Sequence, residues 1–255
     1  MIKKIAVQAL KKADLLTSVA IRLVKLTGKH NVAIHPKHLL NERVWFQKYL
    51  KKSDKVLDLG CGSGQYILKI APKVKMCFGL DIDKKSISQA QQETKEKLFK
   101  NIKFFIFDAN KKLPFANNYF DKVIVSDVLE HLEKRGFVLS QIKRVLKKNG
   151  LLLLVTDNSE TSWKKIQKSL GLFYYADKDH KYEYSKEEIV SLLIKKGFKI
   201  LSLKPVTYDT PLKPFIDLAG GLSLNLYLKL SKWRKGLVFK KPNDTTGFRI
   251  VALAK

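Results

Sequence analysis

The sequence has 255 residues, of which 45% are apolar. This length and composition suit one large domain or two small ones with a sizeable buried core, and they exclude a disordered chain. Only two cysteines are present, Cys61 and Cys77, and no CxxC pair occurs. A disulfide framework and a cysteine zinc site are therefore excluded, and a reducing cytoplasm is the expected compartment. No apolar run is long enough to predict a transmembrane helix.

The chain is strongly basic, with 50 Lys and Arg residues against 23 Asp and Glu residues and a formal net charge of +27. The excess is densest in residues 1–55 and 204–255. A field of this sign favours anionic partners, such as nucleic acid, an anionic membrane surface or an acidic substrate. Few of the basic residues are Arg, the side chain that binds phosphate and guanine through paired hydrogen bonds. A compositional lysine bias without a partner is therefore the alternative interpretation.

Short apolar runs alternate with longer helical patterns, such as 84–100 and 137–148, along most of the chain. This alternation predicts βαβ units and a mainly parallel sheet. The seven predicted strands are Lys55–Leu59, Met76–Leu80, Ile102–Phe107, Lys122–Ser126, Leu151–Thr156, Phe198–Leu203 and Phe248–Leu253.

Three segments fall outside this alternation. Residues 1–50 have the pattern of basic amphipathic helices, and residues 51–255 are predicted to form the main domain. Within that domain, residues 158–184 carry several aromatic side chains, and residues 204–246 are too long for a simple connection between two strands. We expect these two insertions to act as lids.

A glycine-rich loop follows the first predicted strand, where residues 56–66 read Val-Leu-Asp-Leu-Gly-Cys-Gly-Ser-Gly-Gln-Tyr. Gly60, Gly62 and Gly64 stand at alternate positions, and glycines let a backbone turn sharply and approach a ligand closely. A dinucleotide fold prefers GxGxxG, whereas this loop is GxGxG with Asp58 two residues before it. The Asp58 carboxylate would receive a cationic amino group and would repel a pyrophosphate.

Polar residues also stand where the next three predicted strands end. Asp81, followed by Ile82, ends the second strand, and a carboxylate there can accept both hydroxyls of a ribose. Asp108, followed by Ala109, ends the third strand and can accept a hydrogen bond from an adenine amino group. Ser126 ends the fourth strand. Together with the glycine loop, these positions indicate a nucleoside-containing ligand.

This ordered set of motifs resembles the class I S-adenosylmethionine-dependent methyltransferases. It is most similar to the type 11 group, which includes enzymes of ubiquinone and menaquinone biosynthesis, over about residues 40–203 and the last strand. The resemblance implies an α/β, Rossmann-like seven-stranded sheet in the order 3-2-1-4-5-7-6 with strand 7 antiparallel. It also implies S-adenosyl-L-methionine as the cofactor. The implied cofactor-binding residues are Asp58, Gly60, Gly62, Gly64, Asp81, Ile82, Asp108, Ala109 and Ser126.

The resemblance raises the question of a metal after the fourth strand. Asp127, Glu130 and His131 would share one face if this segment were helical. Ubiquinone-type O-methyltransferases carry Glu-x-x-Glu-His here and bind a divalent metal, which can acidify a bound hydroxyl. This chain has the shorter Asp127, and Glu-His-Leu is widespread in type 11 enzymes without metal. We therefore expect no metal site, and the divalent metal remains the less favoured alternative.

The acceptor side is expected to involve His131 and His180 as candidate catalytic residues. His180 lies just before a capping box that starts at Ser185, and related enzymes often place a histidine near this point, facing the acceptor. The apolar insertions favour a small hydrophobic or amphipathic acceptor, such as a lipid, a quinone precursor or a glycan-lipid intermediate. Peripheral contact with an anionic membrane is compatible with the basic amphipathic segments.

Two other functions are kept as alternatives. One is an RNA or protein methyltransferase recruited by the basic surface, and the other is a cofactor-binding scaffold without catalysis. No Asn/Asp-Pro-Pro-Tyr motif follows the fourth strand and no separate RNA-binding module is visible, so nucleic acid is the less favoured partner. The complete set of cofactor acids argues against the scaffold, although cofactor binding alone does not establish turnover.

Overall fold

The computed structural model describes residues 2–31 and 33–255, and its description of side chains leaves out 2–7, 9–14 and 41–43. Within these residues, seven strands form one sheet. They are β1 (Lys55–Leu59), β2 (Met76–Asp81), β3 (Ile102–Ile106), β4 (Phe120–Ser126), β5 (Leu146–Asp157), β6 (Phe198–Pro205) and β7 (Gly247–Ala254).

Eight α-helices accompany these strands in the described part of the chain. None of them combines the length and the apolar character that crossing a bilayer requires. The helices are α1 (Ile2–Leu26), α2 (Gln65–Ile70), α3 (Lys84–Glu96), α4 (Arg135–Val145), α5 (Ser162–Ser169), α6 (Lys186–Lys195), α7 (Lys213–Leu222) and α8 (Leu224–Lys240).

The sheet has the order β3-β2-β1-β4-β5-β7-β6. The first five strands pair in parallel, and β7 is antiparallel to β5. The predicted seven-stranded Rossmann-like fold is therefore confirmed. Leu59 pairs with Leu80 on one side and with Val125 on the other. This register brings the carboxyl ends of β1, β2 and β4 to one edge of the sheet, where ligands bind in folds of this class.

The central strands are buried on both faces. Val56 belongs to one apolar cluster, with buried side chains of α2 and α3, whereas Leu57 and Leu59 belong to the other, with buried side chains of α4 and α6. Successive residues of a strand point to opposite faces, so a strand covered on both sides needs apolar residues throughout. This explains why β1 reads as a nearly continuous hydrophobic run broken only by Asp58.

The boundary between α4 and β5 differs from the prediction. The pattern predicts a helix up to Lys148 and a strand from Leu151, whereas α4 ends at Val145 and β5 begins at Leu146. Leu146 pairs with Phe120, and a register shift separates this pair from the next one, Lys122 with Leu151. Pairing with β4 across a bulge-like irregularity thus overrides the local helical pattern. Sequence periodicity alone does not reveal this pairing.

The contacts divide the chain into two compact units. The sheet unit comprises residues 44–158, 177–204 and 247–255, and the helical unit comprises the residues before 44 together with 159–176 and 205–246. The sheet unit contains all of β1 to β5 and β7. The helical unit contains α1, α5, α7 and α8.

Within the helical unit, a buried aspartate on α7 joins three segments. Asp217 Oδ2 accepts hydrogen bonds from Thr17 Oγ1 of α1 and from Lys213 Nζ, each at 3.1 Å. The Nε2 atom of His35 lies 3.1 Å from the same oxygen. His35 Nδ1 accepts the backbone N–H of Lys37, so the neutral ring carries its proton on Nε2, which lies near the carboxylate without a hydrogen bond of good geometry to the described residues.

Candidate functional site

The glycine loop forms a tight turn between β1 and α2. Gly60, Gly62 and Gly64 all have positive φ angles, of 75°, 52° and 77°. The N–H of Gly60 donates to the carbonyl of Leu80 at 2.8 Å, so the loop is held against the end of β2. A Cβ on Gly60 would lie 2.3 Å from Val128 Cγ2, whereas a Cβ on Gly62 would meet no atom of the described residues within 4 Å. The backbone at Gly62 is therefore open to a ligand.

Asp58 is a buried carboxylate at the base of this loop. Its side chain is almost fully buried, and Oδ2 has no hydrogen-bond partner among the described residues. Burial, with a smaller contribution from the charge of Asp81, raises the pKa of Asp58 to about 8. An orphaned buried carboxylate is costly, and a cationic group that bound beside it would offset that cost. The protonated amino group of a methionine moiety is a cation of this kind.

The end of β2 supplies the second predicted acid, Asp81. Its Oδ2 accepts the N–H of Gly62 at 2.7 Å and its Oδ1 accepts the N–H of Asp83 at 2.9 Å. Each carboxylate oxygen has two lone pairs, so both remain able to accept a ribose hydroxyl. The next residue, Ile82, is 67% exposed although it is apolar. An exposed isoleucine beside this acid is suited to packing against a planar base.

The third and fourth strand ends contribute the remaining predicted cofactor residues. Asp108 Oδ1 accepts two hydrogen bonds from Asn110, from its backbone N and its side-chain Nδ2, which leaves Oδ2 as the oxygen for a ligand. Ala109 packs partly against the larger apolar cluster. Ser126 is half-buried and pairs with Val155 in the sheet. The residues present thus fit S-adenosylmethionine. Asp58, Asp81 and Asp108 offer carboxylates for its ammonium group, its ribose hydroxyls and its adenine amino group.

The segment after β4 is not an α-helix, which was the condition for Asp127, Glu130 and His131 to share one face. Asp127 has a positive φ of 56°, and Leu129–His131 is a single 3₁₀ turn. Asp127, Glu130 and His131 are therefore not arranged at i, i+3 and i+4 of an α-helix. Among the described residues, the one group of three potential metal ligands is instead Glu130, Asp157 and His180. The sequence interpretation missed Asp157, whose only signal was its place at the end of β5.

His131 and His180, predicted from separate parts of the chain, lie next to each other. Their ring centroids are 4.5 Å apart with an interplanar angle of 82°. His180 Nδ1 lies 2.8 Å from Glu183 Oε1, and both side chains are buried. Partial burial, together with the nearby His180, lowers the pKa of His131. His131 is therefore neutral near pH 7 and able to take up a proton.

A family model described as a methyltransferase domain matches residues 50–197. Among curated relatives, the chain is 33% identical over 101 residues to the uncharacterized methyltransferase YcgJ of Bacillus subtilis, which covers 40% of each protein. It is 28% identical over 116 residues to the ubiquinone/menaquinone biosynthesis C-methyltransferase UbiE of Coxiella burnetii, with 44% of this chain and 46% of UbiE covered.

The matches with the first curated relatives cover 40% to 56% of those proteins' length. Solved structures agree on the fold. The [4+2]-cyclase SpnF superposes with a TM-score of 0.62 at 20% identity, covering 85% of this chain and 80% of SpnF. The YcgJ protein of Bacillus subtilis superposes with a TM-score of 0.55 at 21% identity, covering 82% of this chain and 94% of YcgJ.

Proposed function

Because the chain belongs to the S-adenosylmethionine-dependent methyltransferase family, we propose that it transfers a methyl group to a small hydrophobic or amphipathic acceptor. The cofactor part of this proposal rests mainly on Asp58, whose buried Oδ2 atom has no hydrogen-bond partner among the described residues. The glycine loop beside it has a backbone that is open at Gly62. Burial raises the pKa of the Asp58 carboxyl to about 8, so a cation beside it would stabilise the ionised form, and the cofactor supplies an ammonium group.

On the cofactor side, the residues at the ends of the strands would each bind a different part of the cofactor. S-adenosylmethionine, when bound, supplies an electrophilic methyl group carried on a sulfonium. Asp58 would hold the ammonium group, Asp81 the ribose hydroxyls and Ile82 one face of the adenine, while Asp108 accepts from the adenine amino group. Displacement at the methyl group requires sulfur, carbon and acceptor atom in line, so this positioning is the main contribution of the protein. Gly60, Gly62, Gly64, Ala109 and Ser126 complete the proposed cofactor site.

On the acceptor side, we assign His131 and His180. A hydroxyl, amine or activated carbon that gains a methyl group must lose a proton, and the neutral ring of His131 can accept it. Glu183 holds the ring of His180 through Nδ1 at 2.8 Å. In this proposal the acceptor's proton goes to His131, which follows β4 at the sheet edge where the candidate cofactor acids also lie.

The class of acceptor is proposed from the apolar insertions. Side chains of the helical unit that are apolar and exposed include Phe173, Phe215, Leu222, Trp233 and Phe239. One curated relative, UbiE, is named for ubiquinone and menaquinone biosynthesis, which favours an acceptor of the quinone type, whereas another, of Legionella pneumophila, is named for malonyl-[acyl-carrier protein]. We assign acceptor selection to residues 177–184, which include His180, and place the enzyme in the cytoplasm with peripheral contact to an anionic membrane.

The test uses S-adenosylmethionine with a radiolabelled methyl group and a fractionated extract of the source cells. Wild type, Asp58→Asn and the matched control Asp83→Asn are compared; Asp83 is an exposed helix cap, a role that Asn also fills. We expect label in the solvent-extractable fraction with wild type and Asp83→Asn, and a large loss with Asp58→Asn.

Each other outcome would overturn part of the proposal. Label in RNA or protein would refute the hydrophobic acceptor and favour recruitment by the basic surface. Cofactor binding without label in any fraction would favour the non-catalytic scaffold. Failure of the wild-type protein to bind the cofactor would refute the proposed function as a whole.

A further inference from the structure

Three buried or partly buried side chains converge near the carboxyl edge of β4 and β5. Glu130, Asp157 and His180 each offer one ligand atom, and these atoms all lie within 4.8 Å of one another. Glu130 is fully buried, and its Oε1 has no hydrogen-bond partner in the described part of the chain. We propose that Glu130, Asp157 and His180 bind a divalent transition-metal cation, whose part in the reaction rests on the function proposed above.

The charge of this cluster is the first argument. Glu130 Oε2 accepts a hydrogen bond from the Thr156 hydroxyl at 3.3 Å, which is weak compensation for a buried carboxylate. Such a group takes up either a proton or a cation, and a cation held by two carboxylates offsets the desolvation of both.

The support around His180 is the second argument. Its Nδ1 lies 2.8 Å from Glu183 Oε1 and 3.9 Å from Asp157 Oδ2. Metal-binding histidines usually have one ring nitrogen held by a carboxylate, which fixes the ring and increases its basicity. Glu183, a fully buried carboxylate, holds the same Nδ1 atom that lies nearest Asp157, and a nitrogen that donates to a carboxylate cannot also bind a metal. A cation would therefore have to bind Nε2 of His180, with Glu183 as the outer carboxylate that fixes the ring.

The ligand types indicate the cation. One imidazole with two carboxylates suits Zn²⁺, Mn²⁺, Fe²⁺ or Co²⁺, whereas Ca²⁺ and Mg²⁺ prefer sites made only of oxygen ligands. Three protein ligands leave coordination positions for another molecule. An acceptor oxygen bound there would lose its proton more easily. In this arrangement His180 serves as a ligand, and the ring of His131 lies beside it.

The experiment measures metal binding without reference to turnover. The full chain is stripped with a chelator and titrated with Co²⁺, followed by visible absorption, and with Zn²⁺ and Mn²⁺, followed by calorimetry. Glu130→Gln and Asp157→Asn keep the side-chain shape while removing a charge. Glu133→Gln is the matched control, because Glu133 is exposed on the same segment and lies outside the cluster.

We expect one metal per chain for wild type and Glu133→Gln, and an affinity at least about ten-fold weaker for Glu130→Gln and Asp157→Asn. S-adenosylmethionine binding by each variant shows that it is folded. No saturable binding by wild type, or unchanged binding by both cluster variants, would overturn the proposal. Metal binding without cofactor binding would overturn the methyltransferase proposal and leave the metal site standing.

Discussion

Gly60 shows at the scale of a single residue why the loop after β1 needs glycine. Its φ of 75° is unfavourable for any residue with a Cβ, and the 2.3 Å approach of a Cβ to Val128 adds a steric clash. Gly62 shares the positive φ, yet no atom of the described residues lies within 4 Å of the position that its Cβ would take. A side chain at Gly62 would therefore cause backbone strain alone, whereas a side chain at Gly60 would cause both strain and overpacking.

We predict that Gly60→Ala lowers the free energy of unfolding by about 2–4 kcal/mol, the sum of strain and overpacking. Gly62→Ala should cost only about 1–2 kcal/mol, because strain alone applies. Denaturant unfolding followed by circular dichroism measures both values. Equal costs for the two variants would show that Val128 moves aside without penalty. Gly62→Ala should still weaken cofactor binding, since its new methyl group lies where the ligand approaches.

Asp58 leads to a prediction about pH. Its pKa of about 8 means that the carboxyl is mostly protonated at neutral pH in the unliganded protein. Binding of an ammonium group requires the ionised form, so cofactor binding should release a proton and strengthen between about pH 6 and about pH 8. Because the folded-state pKa exceeds the unfolded one, the unliganded protein should also lose stability as the pH rises from about 4 to about 8.

Calorimetry in buffers of different ionisation enthalpy measures the released proton. Asp58→Asn should abolish the release and weaken binding by about ten-fold or more, since a charge-assisted hydrogen bond is lost. A wild-type affinity that does not change over this pH range would contradict the assignment of Asp58 to the ammonium group.

At the scale of secondary-structure elements, a buried hydrogen bond to Asp217 joins α1 and α7. This buried carboxylate accepts from Thr17 on α1 and from Lys213 on its own helix, and its Oδ2 lies 3.1 Å from His35 Nε2. Burial lowers the pKa of His35 to about 4, although Asp217 opposes this shift. The hydrogen bond from Lys37 N–H to Nδ1 also requires that ring nitrogen to be unprotonated.

We predict that the helical unit loses stability as the pH falls from about 6.5 to about 4, because the unfolded chain binds a proton on His35 that the folded chain excludes. The effect should approach about 3 kcal/mol at the acid end. Thermal unfolding of wild type and His35→Gln at a series of pH values isolates this contribution as their difference. If the two proteins show the same pH dependence, His35 does not titrate on unfolding.

At the scale of the whole molecule, the net charge of +27 is the dominant property. Attraction of lysines to an anionic surface weakens as salt screens it, whereas insertion of apolar side chains into a membrane interface does not. Trp233 is 48% exposed and Phe239 is 81% exposed, and both lie on α8 among exposed lysines. Substitutions on this helix can therefore distinguish membrane binding by lysines from membrane binding by inserted apolar side chains.

We predict that the protein sediments with vesicles of anionic lipid at low salt and does not sediment with zwitterionic vesicles. Trp233→Ala combined with Phe239→Ala should weaken the salt-resistant part of the binding, with Phe105→Ala, an exposed phenylalanine on β3, as the matched control. Sedimentation that disappears completely with salt and does not respond to the α8 variants would indicate a lysine bias without a membrane function.

The sequence by itself predicted the seven strands from local apolar runs, and its resemblance to the class I methyltransferases implied the strand order that the structure has. The glycines and acids stand at fixed distances from the strand ends, so the candidate cofactor residues could also be named from the sequence. The same patterns placed the end of α4 wrongly, because strand pairing extends β5 back to Leu146.

Only the tertiary structure decided which distant side chains meet. His131 and His180 are separated by β5 and lie side by side, and Asp157 joins Glu130 and His180 where the sequence pattern pointed to Asp127. Asp217 meets Thr17 and His35 across most of the chain's length. Such contacts follow from packing of whole elements, which spacing along a sequence does not encode. The burial that leaves one oxygen each of Asp58 and Glu130 without a hydrogen bond from the described residues arises in the same way, and it carries both proposals made for this protein.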